Sequence, residues 1–94
     1  MNKQVIETIR KLKPELNEKF NVQEIALFGS FARNEGNINS DLDILIKLNK
    51  PLGLKFLSLI HFLEMHLKEK VDLVTEKAIR PSMRAKIIEE AIFI

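Results

Sequence analysis

The chain has 94 residues, 46% of them hydrophobic and 30% charged, with a formal net charge of +2 and no cysteine. This length fits a single domain over residues 1–94, and the lack of cysteine excludes disulfides and thiolate zinc sites. Because no apolar run approaches the ~20 residues that cross a bilayer and no secretory signal opens the chain, we expect a cytoplasmic protein without a membrane segment.

The first element is predicted to be an amphipathic helix. Its apolar residues recur at steps of three and four, namely Val5, Ile9, Leu12, Leu16 and Phe20. Pro14 lies inside this pattern, and since proline has no N–H to donate, we expect a kink or break near Lys13 and a second segment from Pro14. Covering a sheet is favoured over binding a partner as the role of this helix.

A strand is predicted from Gln23 to Phe28, and it stops at a Gly-Ser pair. Gly29 lets the backbone approach a ligand closely, and the amides of Ser30 and of a short helix through Arg33 would point towards an anion. The Ser30 hydroxyl adds a hydrogen-bond donor for a phosphate oxygen. This turn is therefore a candidate phosphate-binding site, with residues 34–40 forming a loop over it.

Acidic residues interrupt two apolar strands further along the chain. Asp41 and Asp43 flank Leu42 ahead of Ile44, Leu45 and Ile46, and alternation puts both acids on one face with Cα atoms about 6.6 Å apart. Asp72 interrupts the strand from Val71 to Thr75 in the same way. Like charges in an apolar strand are costly, and a divalent ion between them is the simplest remedy. Oxygen ligands beside a phosphate site favour Mg²⁺ or Mn²⁺ over zinc.

Pro51 and Gly53 precede a predicted helix from Leu54 to Leu67 that is apolar on more than one side. One stripe of this helix comprises Phe56, Ile60, Leu63 and Leu67, and the residues off it are Leu54, Leu57 and Met65. This surplus predicts a second contact, with a further copy of the chain or with another protein. His61 and His66 are five residues apart, which does not match a helical metal-binding pair, so we interpret both as structural or surface residues.

The last predicted helix begins at Pro81 and runs to about Glu90, because proline suits the first helical position. Its apolar side comprises Met83, Ile87, Ile88 and Ala91. The following residues, 91–94, are too apolar for a free tail, and we expect them to form a short edge strand or to dock on the core. Lysine and arginine are scattered among acids rather than clustered, so a nucleic-acid partner is disfavoured.

Together these motifs resemble the nucleotidyltransferase superfamily that includes DNA polymerase β and the kanamycin nucleotidyltransferases. Within it the chain is similar to the minimal nucleotidyltransferases, small proteins often paired with HEPN-domain toxins in prokaryotes. The resemblance covers almost the whole chain and is carried by Gly29-Ser30, Ala32-Arg33, Glu35, Ser40-Asp41-x-Asp43, Val71-Asp72-Leu73-Val74 and Arg80-Pro81. The family commonly has glycine where this chain has Asn34, and asparagine is the next best residue for a left-handed turn.

The resemblance implies a small mixed α/β sheet with helices packed on it and the transfer of a nucleoside monophosphate from a triphosphate, most simply AMP from ATP, to a hydroxyl. It implies that Asp41, Asp43 and Asp72 hold Mg²⁺ or Mn²⁺ and that Gly29 and Ser30 hold the outer phosphates. Arg33 is expected either to contact the triphosphate or to pair with Glu35 or another nearby acid. Ser40 is expected either to bond the phosphates or to orient Asp41.

For the partner, the resemblance implies a HEPN toxin that is silenced by adenylylation of a tyrosine, which would make this chain an antitoxin. Two rival hypotheses stay open at this point. One is an antitoxin that neutralises its partner by contact alone, with an inherited acidic site, and the other is a protein that binds nucleotide or nucleic acid without transfer. The presence of Ser30, Asp41 and Asp43 favours the enzyme.

Overall fold

The computed structural model describes residues 2–33 and 41–94. In chain order, its elements are helix α1 (Asn2–Phe20), strand β1 (Val22–Phe28), helix α2 (Gly29–Ala32), strand β2 (Leu42–Leu48), helix α3 (Lys55–Leu67), strand β3 (Val71–Thr75), a 3₁₀ turn (Glu76–Ala78), helix α4 (Pro81–Glu90) and strand β4 (Ile92–Phe93). The strands form one sheet in the order β3-β2-β1-β4. β1 is antiparallel to both β2 and β4, whereas β2 and β3 are parallel. The predicted mixed α/β fold is confirmed, and so is the edge strand at the end of the chain.

The main core lies on one face of the sheet, under α1 and α3. Ile9 and Leu16 of α1 and Leu59 and Leu63 of α3 are fully buried there. The side chains of the sheet that pack in this cluster are Val22, Ile25, Leu27, Leu42, Ile44, Ile46, Val71 and Leu73. These are alternate residues along β2 and β3, as expected for a sheet with one face turned towards the helices, while in β1 the alternation is interrupted by a register shift between Val22 and Glu24.

The opposite face carries a smaller cluster of Ala26, Leu45 and Ile79, and half-buried Ile87 of α4 packs against it. Asp43 and Asp72 alternate with side chains of the main core along β2 and β3, so both acids project from this second face. The sheet thus separates the candidate site from α1 and α3. A short helix and a thin apolar layer border the site instead.

Of the kink or break predicted near Lys13, the break is wrong, because α1 continues through Pro14 as one helix from Asn2 to Phe20. Ile9 and Leu16 are each fully buried on opposite sides of Pro14 along the helix. Burial of a Leu or Ile side chain is worth about 1.5–3 kcal/mol, so docking both halves on the sheet outweighs the local penalty of about 3 kcal/mol for an interior proline. α1 ends at Phe20, and the next residue, Asn21, adopts the left-handed conformation with φ 56°.

The residues of α3 that are buried differ in part from the predicted apolar stripe. Leu59 and Leu63 are its fully buried residues, and Leu59 was not placed in the predicted stripe. Leu54, Leu57 and Met65 are exposed at 88%, 68% and 66% respectively, in agreement with their position off that stripe. They face away from the sheet, on the side of the molecule opposite the acids.

No helix in the described part of the chain is both long and apolar enough to cross a membrane.

Candidate active site

Strand register brings the predicted phosphate turn and two of the acids side by side. On the central strand β2, Asp43 pairs with Phe28 of β1 on one side and with Asp72 of β3 on the other. Paired strands lie roughly 4.8 Å apart, so Asp43 and Asp72 are immediate neighbours. Gly29 follows Phe28 directly and begins α2. Three segments that are distant in sequence therefore meet at one end of the sheet.

Gly29 is required at this point for two independent reasons. Its φ of 73° lies in the left-handed region, which is costly for a residue with a Cβ. A Cβ on Gly29 would also overlap the Asp43 carboxylate, coming to 2.9 Å from Cγ and closer still to Oδ2. The absence of a side chain thus lets the backbone of the turn lie against the acid. The sequence predicted that Gly29 lets the backbone approach a ligand; the neighbour found here is the Asp43 side chain, and the approach to a ligand stays a prediction.

The electrostatics of Asp43 are strongly perturbed. Partial burial raises the pKa of Asp43 to about 6, and repulsion from Asp72, a hydrogen bond with Asp72 and repulsion from Asp41 act in the same direction. The charge of Arg33 opposes this rise in the Asp43 pKa. A hydrogen bond between two carboxyl groups requires a proton on one of them. At neutral pH the pair is therefore a concentrated negative site that a cation would stabilise.

The donor set fits a hard divalent cation such as Mg²⁺, because carboxylate oxygens are its usual protein ligands. Asp43 and Asp72 are brought together on neighbouring strands. The predicted place of Asp41 on the same strand as Asp43 is wrong, because β2 begins at Leu42; Asp41 lies exposed just ahead of it, near enough for its charge to act on Asp43. Within residues 2–33 and 41–94, no three acids or histidines form a complete metal-binding group. The described side chains thus supply an acid pair that a substrate phosphate and water would complete.

Arg33 ends the turn of α2, and its amide donates to the Gly29 carbonyl at 3.1 Å. Its guanidinium Nη1 lies 3.0 Å from Oε2 of Glu90, the last residue of α4. Of the two expectations for Arg33, pairing with an acid is observed, although the partner is 57 residues away in the chain, and contact with a triphosphate stays a prediction. Sequence analysis missed Glu90, since only the pairing of β4 with β1 shows that the end of α4 lies beside the turn.

The other predicted site residues are placed as follows. Ser30 is half-buried at the second position of α2. Ser40 and Glu35 lie outside the described residues. His61 is exposed, and the exposed His66 has its Nδ1 2.9 Å from the Phe62 carbonyl oxygen, with the two rings 4.3 Å apart. Both histidines lie on α3, across the sheet from the acids, which agrees with their interpretation as structural or surface residues.

An open groove of about 710 Å³ lies at the other end of β2 and β3, lined by the β2–α3 connection and by the 3₁₀ turn. Its lining contains Lys47, Lys50 and Lys77, and its acid, Glu76, is engaged by Arg84 at 2.6 Å. It contains neither the acid pair nor the glycine turn. Size alone therefore does not identify the reactive site, and the chemistry points to the Asp43–Asp72 end of the sheet.

Residues 9–94 match the nucleotidyltransferase domain family. The chain belongs to this family. The nucleotidyltransferase is 44% identical over 93 residues to MJ0126 of Methanocaldococcus jannaschii, provisionally named a protein adenylyltransferase, covering 97% of this chain and 95% of the relative. It is 37% identical over 83 residues to the protein adenylyltransferase MntA of Thermococcus cleftensis, covering 87% of this chain and 84% of that protein. The resemblance inferred from the motifs is thereby confirmed.

Solved structures agree with the fold of this nucleotidyltransferase. A protein provisionally described as a minimal nucleotidyltransferase superposes with a TM-score of 0.82 at 30% identity, over 98% of this chain and 95% of that chain. A toxin-antitoxin complex solved with AMP-PNP gives a TM-score of 0.75 at 26% identity, over 93% of this chain and 69% of that chain. The MNT antitoxin complexed with a tri-AMPylated HEPN toxin of Shewanella oneidensis shares the fold, with a TM-score of 0.71 at 22% identity over 99% and 71% of the two chains.

Proposed function

We propose that this nucleotidyltransferase is a protein adenylyltransferase, which transfers AMP from ATP to a hydroxyl of a partner protein and releases pyrophosphate. The observation that carries the proposal is the register that sets Asp43 against Asp72 beside the close turn at Gly29. Nucleotidyl transfer needs a phosphate-binding backbone next to converging acids, and little covalent chemistry from the protein. Two relatives whose names describe protein adenylyltransferases support the choice of AMP and of a protein acceptor.

In the proposed reaction, the acceptor oxygen forms a bond to the α-phosphorus of ATP while the bond from that phosphorus to the α–β bridging oxygen breaks. Pyrophosphate leaves with the electron pair of the broken bond, and the hydroxyl proton passes to an Asp72 carboxylate oxygen. The amides of α2 and the Ser30 hydroxyl hold the outer phosphates, and Arg33 adds a positive charge beside them. No side chain of this chain becomes covalently attached to the nucleotide.

Asp43 and Asp72, with Asp41 beside them, are the residues that would hold Mg²⁺ or Mn²⁺. When bound, this ion neutralises phosphate charge as it accumulates in the transition state. The raised pKa of Asp43 supports this role, because besides burial it reflects repulsion between the negative charges of the acid pair, and a bound cation would offset that repulsion. Ser40 completes the proposed set, as a phosphate ligand or as a residue that orients Asp41.

The proposed partner is a HEPN-domain toxin, with this chain as its cytoplasmic antitoxin. The motif resemblance supports this partner class, as does the shared fold of an MNT antitoxin whose HEPN partner carries AMP groups. On the face of the sheet that carries the site, Asp41 and Asp72 are exposed within the described part of the chain, which supports access by a protein side chain. The exposed side of α3 is a separate surface, proposed to contact a second copy or another part of the partner.

Isotope position tests the reaction directly. The partner protein is incubated with this chain, Mg²⁺ and ATP labelled on either the α- or the γ-phosphorus. Adenylylation predicts that the α-label stays on the partner and that the γ-label appears in pyrophosphate. Retention of the γ-label would mean phosphoryl transfer, and retention of neither label would contradict transfer to this partner.

A further inference from the structure

Glu90 is an acid at a position where a bound triphosphate would be repelled by negative charge. Its Oε2 lies 3.0 Å from Nη1 of Arg33, and the side chains of Arg33 and Glu90 are 43% and 24% exposed. Arg33 is one helical turn from Gly29 and close enough to Asp43 for their charges to interact. The guanidinium therefore has an acid on α4 and the acid pair on β2 and β3 as neighbours.

The pairing of β4 with β1 determines the position of Glu90. Ile92 pairs with Leu27 and Phe93 with Ala26 in the antiparallel ladder between β4 and β1. Glu90 precedes Ile92 by two residues, just as Leu27 precedes Gly29 by two. The edge strand thereby anchors the last turn of α4 beside the phosphate turn. A short ladder of this kind explains how a residue outside the recognised motifs reaches the site.

We propose that Glu90 is a positioning residue, which holds the Arg33 guanidinium at the mouth of the site so that it meets the nucleotide phosphates. The inference rests on the proposed function and adds a residue to it. Without a carboxylate on α4, the guanidinium is drawn across the Asp43–Asp72 pair, because opposite charges attract strongly at short range in a partly buried site. A guanidinium has five N–H donors in a rigid fork, so it can bond a carboxylate and a phosphate together.

The direction in which Glu90→Gln changes nucleotide affinity distinguishes this role from simple charge repulsion. Glu90→Gln removes a negative charge near an anionic ligand. If charge repulsion alone mattered, this change would tighten nucleotide binding. The positioning role predicts the opposite: affinity for AMP-PNP with Mg²⁺ falls about fivefold, the size expected for the loss of one typical hydrogen bond. In the transfer reaction, KM for ATP rises by a similar factor and kcat changes less.

Calorimetric titration of AMP-PNP with Mg²⁺ is the primary measurement, on wild type, Glu90→Gln, Arg33→Gln and the double variant. The effect of Glu90→Gln should vanish in the Arg33→Gln background, because Glu90 acts through Arg33. Glu89→Gln is the matched control, since Glu89 is exposed on the same helix and its change removes the same charge. Glu90→Asp keeps the charge on a shorter side chain and should retain part of the affinity.

Thermal unfolding of each variant accompanies the titrations. Equal or tighter binding by Glu90→Gln, or an equal loss with and without Arg33, would overturn the positioning role while leaving the proposed function intact. A fall in melting temperature without a change in affinity would assign Glu90 to fastening α4 and would also overturn it. Absence of nucleotide binding by the wild type would overturn both the function and this inference.

Discussion

Gly29 combines a conformational and a steric requirement in one residue, and the chain offers a control that separates them. Gly53 also has positive φ, at 58°, but a Cβ there meets nothing within 4 Å. Gly53→Ala should therefore lower the free energy of unfolding by about 1 kcal/mol, the strain of a left-handed backbone at a residue with a Cβ. Gly29→Ala adds overlap with Asp43 and should cost about 2–4 kcal/mol in total. Chemical denaturation measures both, and equal costs would contradict the contact between Gly29 and Asp43.

Asp43 should make stability depend on pH in the direction unusual for an aspartate. Its folded-state pKa of about 6 is above the unfolded value, so the folded state binds the proton more tightly. Without metal, the contribution of Asp43 to stability is therefore greatest below about pH 4, and it falls as the pH rises through 6. Asp43→Asn removes the fall and gains about 1 kcal/mol at neutral pH, after discounting for solvent screening.

Melting temperature measured from pH 4 to 8 in a chelating buffer tests this expectation. Asp41→Asn serves as the control, because Asp41 is exposed and contributes the weakest of the repulsions acting on Asp43. A flat difference between wild type and Asp43→Asn across this range would contradict a raised Asp43 pKa. Added Mg²⁺ should reduce the difference, since a cation offsets the same repulsion.

Most elements were predictable because their signals are local. Val71–Thr75 and Pro81–Glu90 have the predicted bounds, as their apolar pattern and the leading proline are each read within a few residues. α1 was mispredicted at Pro14, where long-range burial outweighs the local rule. Leu59 was missed because a helix that is apolar on several sides does not reveal which side faces the sheet. The 3₁₀ turn Glu76–Ala78 was not anticipated either.

Pro14 should be a position where the chain gains stability by substitution. Inside a continuous helix, it leaves the Arg10 carbonyl without its usual amide donor. Pro14→Ala restores the donor, and after allowing for greater freedom of the unfolded chain we expect a gain of about 1–2 kcal/mol. Lys13→Ala, a neighbouring exposed position, should stay within about 0.5 kcal/mol of wild type. Denaturation midpoints measure both, and destabilisation by Pro14→Ala would contradict the continuous helix.

The outer side of α3 should carry a protein contact rather than fold stability. Leu57→Glu and Met65→Glu replace side chains exposed at 68% and 66%, so unfolding free energy should change by less than about 0.5 kcal/mol. Self-association or partner binding should weaken clearly, because apolar contacts of this kind dominate interfaces. Light scattering of the chain alone and with its partner measures this. A monomeric wild type whose partner affinity is unchanged by both substitutions would contradict it.

In the molecule as a whole, the main core and the candidate site lie on opposite faces of one sheet. The main core and both long helices occupy one face, while Asp43, Asp72 and the turn at Gly29 occupy the thinner face. The strands that carry Asp43 and Asp72 could be predicted, because an acid inside an apolar run is anomalous without a ligand, whereas Asp41, predicted on the same strand as Asp43, lies just before it. The pairing of Arg33 with Glu90 could not, since it depends on strand pairing between opposite ends of the chain.

The most direct test of the enzymatic function uses Asp72→Asn, for which transfer and neutralisation by contact predict different results. The partner protein is incubated with ATP, Mg²⁺ and either wild type or Asp72→Asn, and its intact mass and remaining activity are followed over time. Transfer predicts that wild type adds AMP mass and silences the partner, whereas Asp72→Asn, still folded, does so at least about a hundredfold more slowly. A partner that gains no mass from wild type and is silenced equally by both forms would contradict the enzymatic function.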